Sequence, residues 1–272
     1  MEILIKTARA SYGIMIAALS AQQIFYKAFR PVILPSWHLS FPGFAFFVYL
    51  VSAIFIAGGV AIVFNKKAKM VSLIFGAVFL LLFIFCQTPY ELISNPYYQH
   101  LGVWASAQKE LALAGGGFVV AGAFPAGKEN GHKSPPLMGL LEKIIPFGRI
   151  FFCITIISFG TDHFLYVKGI SLLVPAWIPG PIFWTYFAGA ALVCSGVAII
   201  FRIKLRLSAL LLSLMICIWL IILHIPRATA DPYSLQGNEV SSVFEAFGFG
   251  GIAYLIAYGY HVGKPQVKSL ES

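Results

Sequence analysis

The stretch Phe159-Gly-Thr-Asp-His-Phe-Leu-Tyr-Val-Lys-Gly-Ile-Ser-Leu-Leu-Val-Pro-Ala-Trp-Ile-Pro-Gly-Pro181 decides how this chain is read. It closes a long apolar run by setting Asp162 beside His163, then enters a loop in which Pro175, Pro179 and Pro181 flank Trp177. Proline fixes φ and donates no backbone N–H, so the loop is expected to be stiff and partly extended. Ionisable side chains are costly in a membrane helix, and that cost makes them functional candidates by default. The stretch predicts a membrane span that ends in a site, with a rigid loop over it. It names no substrate.

Composition supports the membrane setting. Of 272 residues, 59% are hydrophobic and 11% are charged, with a mean hydropathy of +0.85. A soluble domain carries about a quarter charged residues. The formal charge of +9 sits in short basic clusters between apolar runs. That pattern orients a protein in a bilayer and excludes nucleic acid as a partner. Cys86, Cys153, Cys194 and Cys217 form no C-x-x-C pair, so they read as small hydrophobic residues, and no metal site is expected.

Apolar runs of roughly 20 residues, enough to cross a bilayer, fall at about 10–29, 44–64, 70–88, 106–124, 148–167, 183–201, 207–225 and 243–261. They are continuously apolar and lack the alternation of a membrane β-barrel, so an all-α transmembrane fold of about eight helices is predicted. With eight spans, fourteen Lys and Arg residues gather on one side and five on the other. The positive-inside rule then sets both termini in the cytoplasm, in a bacterial inner membrane. Ala18-Leu19-Ser20 could pass for a signal-peptidase site, but the repeat described next makes the first run a retained span.

The two halves read as copies. Arg9 and Pro35-Ser36-Trp37 recur 140 residues later as Arg149 and Pro175-Ala176-Trp177. Gly59-Val-Ala-Ile-Val-Phe64 and Pro89 recur at an offset of 137 as Gly196-Val-Ala-Ile-Ile-Phe201 and Pro226. Asn95-Pro96-Tyr97 recurs at 136, and Glu110, Gly115 and Gly116 recur at 135. Two same-orientation four-helix bundles are expected, over 1–124 and 148–272, joined by a cytoplasmic linker at 125–147 with a short interfacial helix near Leu140–Ile145.

On this alignment Asp162 and His163 stand where the first half has Gln22 and Gln23, His224 where it has Gln87, and Glu245 where it has Glu110. Asp162, His163, His224 and Glu245 are expected at similar depth near the periplasmic face, under the Pro175–Pro181 loop. Consecutive helical residues point about 100° apart, so only one of Asp162 and His163 faces the interior; His163 is the expected one. Structural alternatives stand beside each. Ser242-x-x-Glu245 has capping-box spacing. His224 precedes a helix-ending proline at the interface, and Trp37, Trp177 and Trp184 fit an aromatic belt. The glycines of the second, fourth and eighth spans fit close helix packing.

Gly160-Thr-Asp-His163-Phe164, Val174-Pro-Ala-Trp-Ile-Pro179, His224-x-Pro226, Arg149 and a glycine-rich fourth helix together resemble the DoxX-like membrane proteins. Each half resembles one such unit. The first departs from it, with Gln23-Ile24 for His-Phe and Leu39 for the second proline. The resemblance implies redox work at the membrane, and some members of that family resemble a subunit of thiosulfate:quinone oxidoreductase.

Two functions are therefore expected as candidates. One is a quinone-linked oxidoreductase component working with a redox partner protein. Its catalytic residues would be His163, His224, Glu245 and Asp162, and its substrate-binding residues Pro175, Trp177, Pro179 and Trp184. A b-type haem between His163 and His224 is disfavoured, because the two are expected too close for ligation on opposite faces. The other is a non-enzymatic module, a small-molecule carrier or an assembly partner of a membrane complex.

Overall fold

In lipid, every backbone N–H and C=O must be paired within its own segment, so runs of this apolarity fold as helices. The computed structural model describes residues 1–35, 42–124 and 136–259, and all regular structure in them is helical. Trp37 and residues 125–135 of the expected linker lie outside the described residues.

The chain runs through α1 (Glu2–Tyr26), α2 (Phe44–Val63) and α3 (Ala68–Leu82), which passes through a π-helical turn (Phe83–Gln87) into α4 (Thr88–Ser94). A 3₁₀ turn (Leu101–Trp104) leads to α5 (Ala105–Gly122), and α6 (Pro136–Glu142) precedes α7 (Ile145–Leu165). Then come α8 (Val167–Ile170), α9 (Pro181–Ile200), and α10 (Leu205–Trp219). A second π-helical turn (Leu220–His224) continues α10 into α11 (Ile225–Ala230), and α12 (Ser234–Tyr258) is the last described helix.

Seven of these segments are long and apolar enough to cross a membrane, so the chain is an integral membrane protein in contact with lipid. The fourth expected span, at 106–124, became α5, which is not among the seven. It opens with Gln108, Lys109 and Glu110, and fifteen of its eighteen residues are buried. A helix walled in by protein needs little lipid-compatible surface.

Several boundaries differ from expectation for local reasons. The seventh span does not stop at Pro226. A proline lacks its N–H and clashes with the carbonyl four residues back, and both π turns sit just before such a residue, Pro89 and Pro226. The wider turn carries the helix through to Ala230. The linker helix starts at Pro136 and is docked: Lys69 pairs with Glu142 at 2.6 Å, and Leu141 packs with Leu73 and Phe118.

The two halves do not form separate bundles. α1 packs on α2 and on α12, while α7 packs on α9 and on α5, so the first helix of each half leans on the last helix of the other. α3 backs α5 and α10 backs α12. One hydrophobic core holds Tyr12, Phe79, Phe152, Phe249 and Ile252 together. These crossings depend on small residues. A Cβ on Gly115 would sit 2.6 Å from the Gly148 carbonyl oxygen, and one on Gly251 would sit 2.9 Å from the Ala8 carbonyl oxygen.

Local features recur between the halves. Asn65 and Lys67 (φ 56° and 50°) match Arg202 and Lys204 (φ 60° and 42°) in left-handed turns 137 residues apart. Tyr26 lies against Gly237, as Tyr166 lies against Gly102.

Candidate functional site

A cavity of about 300 Å³ lies between α7, α9, α10 and α12, walled by Ile156, Phe159, Leu192, Ile216, Trp219 and Phe249. Its polar groups include His163, His224, Glu245 and Lys109. Three of the four expected catalytic side chains therefore meet in one chamber.

His163 is on the last turn of α7. Its Nδ1–H donates to the Phe159 carbonyl at 2.7 Å, which leaves Nε2 as the nitrogen open to other partners. α7 and α9 approach closely here: a Cβ on Gly189 would lie 2.8 Å from the His163 Cβ. His224 is the final residue of the second π turn, a distortion that re-aims side chains and recurs at functional sites. It lies within electrostatic reach of Lys109, Glu245, Glu239 and Arg227.

Glu245 is 5% exposed, and its Oε2 accepts from the Lys109 ammonium at 2.7 Å. A buried carboxylate needs such a partner. The capping-box reading of Ser242 and Glu245 does not hold. α12 begins well before residue 243, and the Ser242 hydroxyl donates to the Asn238 carbonyl at 3.0 Å. Close by, Arg227 forms a fork with Glu239, at 2.9 and 2.6 Å.

The start of α12 is pinned from the first half. Leu235, Gln236 and Gly237 are all left-handed. Arg30 donates to the Gln236 carbonyl at 2.5 Å and to the Ser241 hydroxyl at 2.9 Å. Gln22 donates to the Gly237 carbonyl at 3.0 Å. Burial draws the Arg30 guanidinium below its ordinary pKa, and the nearby Glu245 charge works against that.

Of the other sequence candidates, Trp184 lines the cavity, and its indole N–H holds the Pro179 carbonyl at 3.2 Å. Asp162, Pro175, Trp177 and Pro179 lie outside the lining. Asp162 is buried one residue round the helix from His163, and its Oδ1 has no partner. The loop over the site is not simply extended: α8 and a 3₁₀ turn (Ser171–Leu173) lead to a turn closed by Ile178 N–H on the Pro175 carbonyl at 2.9 Å. That turn buries Ile178 and leaves Trp177 72% exposed, so Ile170, Leu173 and Val174 form the lid side of the chamber.

Lys109 escaped the sequence reading because it belongs to the other half. A cation beside an acid in an apolar run was the available signal.

The matching region of the first half is filled. Phe55, Phe75 and Phe79 pack ring on ring, with centroids 5.5 to 6.1 Å apart. The residues 137 positions after Phe55 and Phe79 are Leu192 and Ile216, both in the cavity wall. Gln23 donates to Ser52 at 2.9 Å and accepts from Arg30 N–H at 3.2 Å, and Gln87 donates to the Pro31 carbonyl at 2.9 Å.

Contact register also shifts one pairing. Gly115 meets Gly148 as Gly251 meets Ala8, an offset of 136, and neither helix is interrupted between these glycines and its acidic residue. Counted from those contacts, Glu245 is level with Lys109, and Glu110 with Ala246.

Among the described residues, no group of three or more His, Cys, Asp or Glu side chains is placed to hold a metal ion. No protein-family model, curated protein or solved structure matches the chain.

Proposed function

We propose that this chain is a membrane redox component whose second half receives the head of a lipid-soluble quinone. The observation that carries the reading is the apolar chamber of about 300 Å³ in which two imidazoles meet a Lys–Glu ion pair. That volume is at the small end of ligand sites, which are apolar with a few convergent polar groups. Reducing a quinone to a quinol takes two electrons and two protons. A redox partner protein supplies the electrons. His163, through Nε2, and His224 hold and pass the protons as hydrogen-bonding acid–base groups facing the chamber. Lys109 holds Glu245 in place, and gives a carbonyl oxygen a positive neighbour.

The same reading takes the chain as a tandem DoxX-like protein with both termini in the cytoplasm of a bacterial inner membrane. The matched left-handed turns, the paired π turns and the Tyr–Gly contacts support duplication.

Purification in detergent, an absorption spectrum and solvent extraction test the reading. The expected result is co-purifying quinone, with electron transfer lost in His163→Ala and in His224→Ala. The Lys109–Glu245 pair neutralises the one acid in the chamber, which favours a second reading as a carrier or assembly module. A colourless, quinone-free protein whose double histidine variant keeps its cellular function would establish that reading instead.

A further inference from the structure

We propose that Glu110, in the first half, is a second and separate proton-binding site: a carboxyl group that is neutral at neutral pH, sealed inside the core. Glu110 is 0% exposed, and neither carboxylate oxygen has a hydrogen-bond donor. An ionised carboxylate cannot stay in such surroundings without donors or a counter-charge. A proton removes the charge and converts one oxygen into a donor.

A candidate acceptor for that donor lies on an element packed against α5. Gln87 is also 0% exposed, and its Oε1 has no partner either. Gln87 is on the first π turn, which packs against α5. Three orphaned oxygens in one region call for a hydrogen-bearing ligand, and a single proton is the smallest.

Cations on the packed helices are committed elsewhere. Lys109, the next residue, is turned about 100° away and pairs with Glu245 of α12. Lys69 of α3 pairs with Glu142, and Arg149 of α7 donates to the Ile199 carbonyl. On α1, the Tyr12 hydroxyl donates to the Leu113 carbonyl at 2.8 Å. On α7, His163 lines the cavity, and Asp162 is another buried acid with an unpartnered oxygen that the test must separate.

Infrared spectroscopy of the full chain in liposomes at neutral pH decides the matter. The expected result is a protonated-carboxyl C=O band that shifts when the protein is grown on heavy-carbon glutamate, vanishes in Glu110→Gln, and survives in Glu245→Gln and in Asp162→Asn. If Glu110→Gln fails to fold, glutamate labelling together with survival of the band in Glu91→Gln and in Glu245→Gln leaves Glu110 as its source among the buried glutamates of the described residues. Absence of the band, its insensitivity to labelled glutamate, its survival in a folded Glu110→Gln, or its loss in Glu245→Gln would each overturn the proposal. So would its disappearance on titrating sodium at fixed pH, which would make the ligand a sodium ion. Each outcome is independent of whether the second half binds quinone.

Discussion

The two halves of the chain fill the space among their helices differently. In the first, Phe55 and Phe79 fill the space among the helices, and Gln23 and Gln87 spend their amides on holding neighbours in place. In the second, Leu192 and Ile216 leave that space open, and His163 and His224 border it. The difference teaches that a chamber can be made by shortening two aromatic side chains. In the function proposed above, the polar positions then pass from structural work to chemical work.

Mutations can break or sharpen this contrast. The largest effect is expected from Phe79→Ala, since truncating a fully buried phenylalanine leaves a void and costs about 4 kcal/mol. The midpoint of denaturant unfolding in detergent measures it. Ile216→Ala only widens an existing cavity and should cost well under half as much. Equal costs would mean that the halves are packed alike.

Next comes Lys109→Ala, which strands Glu245 as a buried charge, at about 3 kcal/mol. The double variant Lys109→Met with Glu245→Leu should regain most of that stability. Failure to regain it would show that the pair is needed for packing and not only for charge balance.

Smaller still, Gln23→Ala should cost about 1 kcal/mol through two lost hydrogen bonds and leave ligand uptake untouched. His163→Ala, at the matched position, should abolish uptake at little cost in stability. If both variants alter only stability, the contrast between the halves is not functional.

The mildest change in stability, and the sharpest in function, is expected from Leu192→Phe with Ile216→Phe. These import the filling of the first half. Extraction of bound quinone should fall to background while the unfolding midpoint moves by about 1 kcal/mol or less, because volume enters an open space and not a packed one.

Much of the fold was legible because lipid makes apolarity and helix length nearly synonymous. The eight expected runs all correspond to helices, though hydropathy alone put the start of α12 nine residues late and cut α10 at Pro226. Local proline chemistry, softened by a π turn, decided the second of these. The chamber was half legible. His163, His224 and Glu245 announced themselves as ionisable groups near span ends, but apolar pattern cannot say which helix neighbours which. So Lys109, reaching across from α5, was invisible as a partner. The lid was misjudged at Trp177 because its three prolines suggested rigidity without saying which face would turn inward.

The leaning of α1 on α12 and of α7 on α5 has a consequence for how the molecule is made. A chain threaded into the bilayer from its beginning offers the docking face of α1 long before α12 has been synthesised. That face, with Tyr12 and Met15 buried in the finished protein, must wait in lipid or borrow a temporary companion until the final span arrives to clasp it. Arrival of α12, and not completion of the first four spans, is then the moment at which this packing locks shut.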